Sequence, residues 1–145
     1  MPENPGPAVL ALLISLTGFA ILVQRYIPRM GQTFIEPEQL KWRLDEGEDI
    51  LVLDVRNPQE FKSKLGRTPG SVNLPIRDFS ARLRQAADQI TPYKDKPICV
   101  VCRFENRSPG AANALKKAGF TNVAILKGGI MRWYRKKLPV ETGKG

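Results

Sequence analysis

The chain contains no histidine and only two cysteines among its 145 residues, and these absences exclude several kinds of site. Without histidine there is no Ser-His or Cys-His pair, no imidazole general base and almost no route to a catalytic zinc site. Two cysteines are too few for a disulfide framework or for a four-cysteine zinc site within one chain. The sequence therefore predicts no metal and no cofactor.

Acidic residues are also scarce, because 14 Asp and Glu stand against 23 Lys and Arg, a net charge of +9. Such an excess suits nucleic acid, an anionic membrane surface or an anionic substrate. The basic residues are spread along the chain, and their densest run, 132–137, is typical of a helix surface. No nucleic-acid motif accompanies that run, so we expect no nucleic-acid partner.

The N-terminal stretch 8–23 is apolar apart from small or weakly polar residues, and no charge occurs between Glu3 and Arg25. With the next few residues it approaches the ~20 residues that a membrane-spanning helix needs. A cleaved signal peptide would need a basic start and a small-residue cleavage site, and a buried soluble helix would be apolar on every face. We therefore predict an uncleaved anchor over 1–27, with the lipid bilayer around residues 8–27.

Flanking charge predicts the orientation of this anchor. The basic residues that follow the apolar stretch are Arg25, Arg29, Lys41 and Arg43. The positive-inside rule then puts the N-terminus outside and the rest of the chain in the cytoplasm, by default at a bacterial plasma membrane. Cysteines stay reduced there. Beyond the anchor we expect a linker over 28–33, one domain over 34–140 and a C-terminal tail over 141–145.

Short apolar runs alternate with amphipathic segments along the domain. The apolar runs predict strands at 50–53, 72–74, 97–101 and 123–126. The amphipathic segments predict helices at 36–46, 57–61, 78–90, 108–118 and 129–137. This alternation predicts an α/β fold in which helices flank both faces of a mainly parallel central sheet. Ligands bind beyond the carboxyl ends of the strands in such sheets, which is where Asp54 and Cys102 fall.

The two cysteines, Cys99 and Cys102, are three residues apart but are not predicted to form a redox pair. Cys99 lies inside a predicted strand, where residues three apart point to opposite faces. A working dithiol sits at a helix N-terminus with both sulfurs close together. We therefore interpret Cys99 as a small buried apolar residue and Cys102 as the candidate nucleophile.

A short loop, 103–107, joins Cys102 to the helix predicted from Ser108. The backbone N–H groups of such a loop can turn toward the sulfur, and the helix dipole adds positive potential. Arg103 and Arg107 add full charges, and together these effects stabilise a thiolate and an incoming anion. On the loop alone, a strand-end cysteine beside an exposed polar loop is an equal alternative.

Several segments, taken in order, resemble the rhodanese family of sulfurtransferases. They are LVLDVRNPQEF (51–61), GRTPGSVNLP (66–75), CRFENRS (102–108), AANALKKAGF (111–120) and VAILKGGIMRW (123–133). The resemblance covers about 34–140 and implies a rhodanese-like domain, here preceded by one transmembrane helix. It implies Cys102 as the catalytic residue and a substrate-binding loop made of Arg103, Phe104, Glu105, Asn106, Arg107 and Ser108.

The resemblance also implies a mechanism. The Cys102 thiolate would take the outer, sulfane sulfur of a donor such as thiosulfate, release sulfite, and pass the sulfur to cyanide or a thiol. Loop amides would hold the persulfide, and Arg103 or Arg107 would bind the oxyanion of the donor. Four residues separate Cys102 from Arg107, one fewer than in the related phosphatases and arsenate reductases, so phosphate should fit poorly.

Other matching residues have structural roles in the family. The resemblance implies that Asp54, Arg56 and Glu60 support the site, with Arg56 paired to Glu60. It also implies that the glycines 128–129 form a turn and that Trp133 packs in the core.

Two positions depart from the family pattern. Glu105 stands where active members usually have glycine, which tolerates positive φ and close backbone approach. An inward carboxylate there would disfavour the thiolate and repel thiosulfate, whereas one that points outward or pairs with Arg103 or Arg107 would do little harm. Arg67 replaces the usual histidine of the GRTPGS segment, and we expect only local repacking around it.

These observations leave three hypotheses. The leading one is a membrane-anchored sulfurtransferase with a sulfane-sulfur donor and a thiol acceptor. The alternative is a non-catalytic rhodanese-like module that binds a protein partner at the membrane, which Glu105 favours. A redox relay between the two cysteines is a distant third.

Overall fold

The computed structural model describes residues 6–27 and 30–143. The first residues of the predicted anchor (1–5), part of the predicted linker (28–29) and the end of the predicted tail (144–145) lie outside the described residues. The chain divides into two compact units, Met1–Gly31 and Gln32–Gly145, and each is described by itself.

The first unit is built around helix α1 (Pro7–Tyr26), which is 20 residues long and begins with proline in its first turn. The window Pro7–Gln24 has a mean hydropathy of 2.1, and none of it is buried within the structure. At 1.5 Å per residue the helix is about 30 Å long, close to the thickness of a bilayer core. By length and composition, α1 is able to cross a membrane. A signal sequence near the N-terminus satisfies the same two criteria.

The second unit is an α/β domain on a five-stranded sheet. Its strands are β1 (Thr33–Ile35), β2 (Leu51–Asp54), β3 (Val72–Asn73), β4 (Ile98–Val101) and β5 (Val123–Leu126). They lie in the order β1-β5-β4-β2-β3, and every neighbouring pair is parallel. This confirms the predicted fold class, with β2 and β4 at the centre of the sheet.

Helices join these strands. They are α2 (Pro37–Asp45), α3 (Pro58–Phe61), α4 (Phe79–Gln85), α5 (Ala87–Ile90), α6 (Ser108–Lys117) and α7 (Gly129–Arg135), and a 3₁₀ turn, Thr91–Tyr93, follows α5. The central strands are buried along their whole length because helices cover both faces of the sheet.

Two hydrophobic clusters form on the two sides of the central strands. The first contains Leu53 and Val100 from the strands together with Leu115 of α6. The second contains Val52 from β2 and Trp133 from α7. Every member of both clusters lies within residues 34–140, so the fragment 31–145 contains the whole core and is expected to fold without α1.

Three differences from the sequence prediction concern the existence of a strand, the continuity of a helix and the position of Asp54; the other predicted elements differ by no more than two residues at their ends. Strand β1 was not predicted, because its two apolar residues, Phe34 and Ile35, lie directly between the predicted linker (28–33) and the helix predicted from residue 36; it pairs with β5, with Phe34 opposite Ile125. The single helix predicted over 78–90 is two helices, α4 and α5, which are separated at Ala86. Strand β2 ends one residue later than predicted, so Asp54 lies within the sheet, opposite Val101 of β4.

Candidate active site

The two cysteines lie on opposite sides of the sheet, as predicted. Cys99 belongs to the second hydrophobic cluster and Cys102 to the first, and both are free thiols. Burial raises the pKa of Cys99 to about 12, so this thiol stays protonated at neutral pH. Cys99 is therefore part of the core, and the arrangement does not support a dithiol relay.

Cys102 follows directly on β4, and its side chain is fully buried. The loop that it begins ends at Ser108, the first residue of α6. The Sγ atom of Cys102 lies 4.0 Å from Oδ1 of Asn106, to which the thiol donates a weak hydrogen bond. Asn106 therefore folds back toward the sulfur, as expected of a loop that surrounds its nucleophile.

The first turn of α7 holds the start of this loop. The backbone N–H of Ile130 donates to the carbonyl oxygen of Cys102 at 2.9 Å, and that of Met131 donates to the carbonyl oxygen of Arg103 at 3.1 Å. Gly129 approaches both carbonyls so closely that a Cβ atom there would lie 2.5 Å from each oxygen. The predicted glycine turn is thus the support on which the Cys102 loop rests.

Arg107 is bound to Glu60 by two parallel hydrogen bonds, of 2.8 Å from Nη1 and 2.9 Å from Nη2. The same carboxylate completes a capping box with Asn57 at the start of α3. The hydrogen bonds from Arg107 lower the pKa of Glu60 to about 2, although partial burial opposes the shift. The same hydrogen bonds raise the pKa of Arg107, and the nearby Cys102 adds to this effect.

Arg56 does not pair with the carboxylate of Glu60, so that expectation is wrong. Its Nη2 lies 2.7 Å from Oδ2 of Asp54, and its Nε lies 3.0 Å from Oδ1. Both side chains are almost fully buried. The Arg56 guanidinium also donates to the carbonyl oxygens of Glu60 and Gly66, at 3.2 and 2.9 Å. The physical reason is proximity, because Asp54 at the end of β2 is the nearer acid and Arg107 occupies the Glu60 carboxylate.

Glu105 has a φ of +155°, in the region that favours glycine, as its position in the family pattern implies. Its Oε1 accepts a hydrogen bond from the backbone N–H of Gly128, in the turn before α7. The carboxylate therefore ties the loop to the same turn that supports Cys102. Sequence reasoning missed this contact because its partner is 23 residues away.

The remaining side chains of the loop differ in their exposure to solvent. Arg103 and Phe104 are exposed, and the Arg103 guanidinium lies 5.6 Å from the centre of the Phe104 ring. Ser108 is fully buried, and its hydroxyl has no hydrogen-bond partner among residues 6–27 and 30–143. Arg103 is therefore the loop arginine that faces solvent, and Ser108 offers a buried donor.

Arg67 does more than repack its surroundings. It is only 5% exposed, its guanidinium lies 4.6 Å from the centre of the Phe61 ring, and its Nη1 donates to the carbonyl oxygen of Gly143 at 2.9 Å. It forms an antiparallel bridge with Glu141 and an ion pair with that carboxylate at 3.6 Å. The expectation of local repacking alone is thus wrong, since Arg67 holds a segment more than seventy residues away.

We expect Glu60→Gln to destabilise the fragment 31–145 by about 2 kcal/mol at pH 7, a figure that allows for the partial exposure of the pair. The pKa of Glu60 is depressed in the folded state, so its contribution is complete above the unfolded value near 4.5 and is lost as pH falls toward 2. Urea unfolding measures the difference in free energy of unfolding between wild type and Glu60→Gln. At about pH 3 this difference should be less than half of its value at pH 7. A difference that does not change with pH would mean that the ionised carboxylate of Glu60 is not the cause of the stabilisation.

We expect Glu105→Ala to destabilise the same fragment by about 1–3 kcal/mol, because it leaves the Gly128 N–H without its acceptor. Glu105→Gly loses the same hydrogen bond but relieves the positive φ, so it should be more stable than Glu105→Ala by about 1 kcal/mol. Urea unfolding of both variants measures the difference. Equal stabilities would mean that the backbone at this position is not strained.

A protein-family model described as the rhodanese-like domain matches residues 36–136. A protein named sulfurtransferase from Allochromatium vinosum is 32% identical over 111 residues, which cover 77% of this chain and 96% of that protein. Thiosulfate sulfurtransferase GlpE from Pseudomonas syringae is 36% identical over 111 residues, covering 77% of this chain and 94% of the relative.

Solved structures give the same picture of the fold. The crystal structure of the Alr3790 protein from Anabaena superposes with a TM-score of 0.65 at 29% identity. The superposition covers 77% of this chain and 94% of the Anabaena chain. The residues that the family model matches, 36–136, lie within the second unit and include Cys102 and its loop.

Proposed function

The chain belongs to the rhodanese family of sulfurtransferases, and we propose that it carries sulfane sulfur as a persulfide on Cys102, between a donor of the thiosulfate type and a thiol or cyanide acceptor. The observation that carries the proposal is the position of Cys102. It lies at the carboxyl end of a central parallel strand and begins a basic loop that leads into α6. Ligands of such sheets bind at that edge.

The reaction has two balanced halves. In the first, the Cys102 thiolate attacks the outer sulfur of thiosulfate, a new S–S bond forms, and sulfite leaves with the electron pair of the S–S bond that breaks. In the second, the acceptor attacks the terminal sulfur of the persulfide and the Cys102 thiolate leaves, so cyanide becomes thiocyanate. Neither half has a proton transfer that requires an imidazole, because the nucleophile is the Cys102 thiolate in the first half and cyanide or an acceptor thiolate in the second.

The two loop arginines have different roles in this proposal. Arg107 is held by Glu60, so it supplies a positive charge at a fixed position near Cys102 that stabilises the persulfide anion. Arg103 is exposed and is therefore the residue that binds the sulfonate oxygens of the donor. The buried hydroxyl of Ser108 and the backbone N–H groups of the loop are the further hydrogen-bond donors for the persulfide in this proposal.

We also propose that α1 anchors the domain to a bacterial plasma membrane, with the N-terminus outside and the domain in the cytoplasm. The length and hydropathy of α1 support a membrane span, and the basic residues that follow it support this orientation. Protease added to intact spheroplasts should leave the domain uncut, whereas protease added after lysis should digest it. Release of the full domain into the periplasm would contradict the anchor and the orientation together.

The sulfur-carrier proposal is tested by the mass of the fully reduced fragment 31–145 after incubation with thiosulfate. We expect a gain of one sulfur atom, which cyanide removes and which Cys102→Ser does not show. Cys99 remains in that control. A gain of sulfur by Cys102→Ser would therefore assign the sulfur to Cys99 and contradict the proposal. Alkylation after unfolding, in a parallel sample, shows that the Cys102 thiol was free at the start.

An unchanged mass with a free Cys102 thiol would contradict thiosulfate as the donor. Glu105→Gly then separates two explanations, because it removes the carboxylate and restores the family's usual residue. If Glu105→Gly gains sulfur, Glu105 is what excludes thiosulfate from the loop. If it also stays unloaded, the chain is better described as a membrane-tethered rhodanese-like module that binds a protein partner.

A further inference from the structure

An open groove of about 340 Å³ lies between α4, α5 and the last turn of α6, and no residue of the Cys102 loop lines it. The loop meets α6 at its first residue, Ser108, whereas the groove is lined by Ala114, Lys117 and Ala118 at the other end of that helix. The volume falls within the ~300–1,000 Å³ of small-molecule sites. The groove is therefore large enough to be a second site, separate from the sulfur chemistry.

The floor of the groove is apolar. It is formed by Leu83, Ile90 and Phe120, which belong to the first hydrophobic cluster. The small side chains of Ala87 and Ala114 line the groove beside them and leave the space open. A ligand that covers this floor gains the free energy of removing its own apolar surface from water.

The rim of the groove is basic, and no acidic side chain lines it in the described part of the chain. Lys94 donates to the carbonyl oxygen of Ala118 and lies 4.8 Å from the centre of the Phe120 ring. The side chains of Arg84 and Lys117 have no ion-pair or hydrogen-bond partner among the described residues, whereas the exposed side chains of Lys96 and Lys127 pair with carboxylates. Two uncompensated cations thus stand at the edge of an apolar floor.

We propose that this groove binds a free medium-chain alkyl carboxylate, with the alkyl chain on the apolar floor and the carboxylate at Arg84 and Lys117. An inorganic anion would leave the floor in contact with water, and an uncharged alcohol would leave the cations unused. A nucleotide would need polar partners for its base, which the floor does not supply. The combination of an apolar floor with two cations that lack an ion-pair partner favours an amphipathic anion.

The test is a titration of the fragment 31–145, labelled with ¹⁵N, with octanoate as the probe. We expect shifts in the amides of α4, α5 and the last turn of α6, with a dissociation constant on the order of 0.1–1 mM for so small a ligand. Octanol and octylammonium, which have the same chain length without the negative charge, should bind at least about tenfold more weakly. Because Cys102 is not involved, Cys102→Ser should bind octanoate like the wild type.

Charge variants locate the carboxylate. Arg84→Gln and Lys117→Gln should each weaken octanoate binding about tenfold, the loss of one charge-assisted hydrogen bond. Lys116→Gln is the matched control, because its ammonium group bonds Gln32 and does not line the groove; its affinity should equal that of wild type. The variants are of exposed residues, so their folding is checked by an unchanged ¹⁵N spectrum away from the groove.

Three results would overturn the proposal. The first is no shift up to about 10 mM octanoate. The second is equal binding of octanol and octanoate, which would make the groove a non-selective apolar surface. The third is that Arg84→Gln and Lys117→Gln reduce binding of the fragment to phosphatidylglycerol vesicles while leaving octanoate binding unchanged, which would assign the two cations to a membrane surface.

Discussion

Replacing Gly129 with alanine is expected to slow persulfide formation on Cys102 by about 100-fold or more and to destabilise the domain by about 2–4 kcal/mol. The alanine Cβ would lie 2.5 Å from the carbonyl oxygens of Cys102 and Arg103, and both are backbone atoms. Neither oxygen can rotate away as a side chain can. Either the Cys102 loop or the first turn of α7 must therefore move.

The movement breaks the contacts that position the nucleophile. The N–H groups of Ile130 and Met131 bond the same two carbonyl oxygens, so a shift that relieves the clash lengthens both hydrogen bonds. Gly129 also has a φ of +61°, which alanine adopts only at a cost. A misplacement of about 1 Å in a catalytic group can by itself account for a hundredfold loss of rate. The measurement is the rate of sulfur gain from thiosulfate, followed by intact mass.

Gly110→Ala is the matched control for Gly129→Ala. Gly110 lies in α6, two residues after the loop, and a Cβ atom there would meet no other atom within 4 Å. This substitution should stabilise the helix by about 0.5–1 kcal/mol and leave sulfur loading unchanged. If Gly129→Ala loads sulfur as fast as Gly110→Ala, the α7 turn does not position Cys102.

The features that sequence analysis predicted correctly are those with a short-range cause. The three longest strands, β2, β4 and β5, are built on apolar runs, and alternation along β4 is enough to place Cys99 and Cys102 on opposite faces. The position of Cys102 follows from the order of strand, loop and helix. Each of these inferences needs only residues within about ten positions of one another, so the chain itself supplies the evidence.

The side-chain partners were not predictable in the same way. Glu60 and Arg107 are 47 positions apart, and Glu105 reaches Gly128 across 23 positions. No local pattern identifies such pairs, because they depend on how the finished sheet brings its loops together. The resemblance to the family suggested a pair between Arg56 and Glu60, yet the nearer carboxylate of Asp54 takes the guanidinium.

Strand β1 is an element whose existence could not be predicted from the local sequence. Its two apolar residues, Phe34 and Ile35, lie between a predicted linker and a predicted helix and show no strand pattern of their own, and they form a strand because β5 offers an open edge on which they pair. Arg67 illustrates the same dependence, since its partner Gly143 belongs to the C-terminal segment. Elements whose existence depends on a distant partner become visible only in the folded chain.

The buried pair of Arg56 and Asp54 leads to the second prediction. We expect Arg56→Met to destabilise the fragment 31–145 by about 3–5 kcal/mol, because it leaves the carboxylate of Asp54 buried without its cation. The substitution also removes the donors to the carbonyl oxygens of Glu60 and Gly66, which fix the segment after α3. Urea unfolding at pH 7 measures the loss, and Arg135→Met, at an exposed arginine, should change stability by no more than about 0.5 kcal/mol.

A double-mutant cycle separates the unpaired charge from the lost packing. Asp54→Asn alone leaves the Arg56 guanidinium without its anion, whereas the double variant Asp54→Asn with Arg56→Met buries neither charge. We therefore expect the double variant to lose less stability than the sum of the two single variants, by about 1–3 kcal/mol. Additive losses would mean that the two residues contribute independently. The pair would then stabilise the end of β2 through packing and the carbonyl contacts of Arg56, and its charge would be incidental to the fold that holds Cys102.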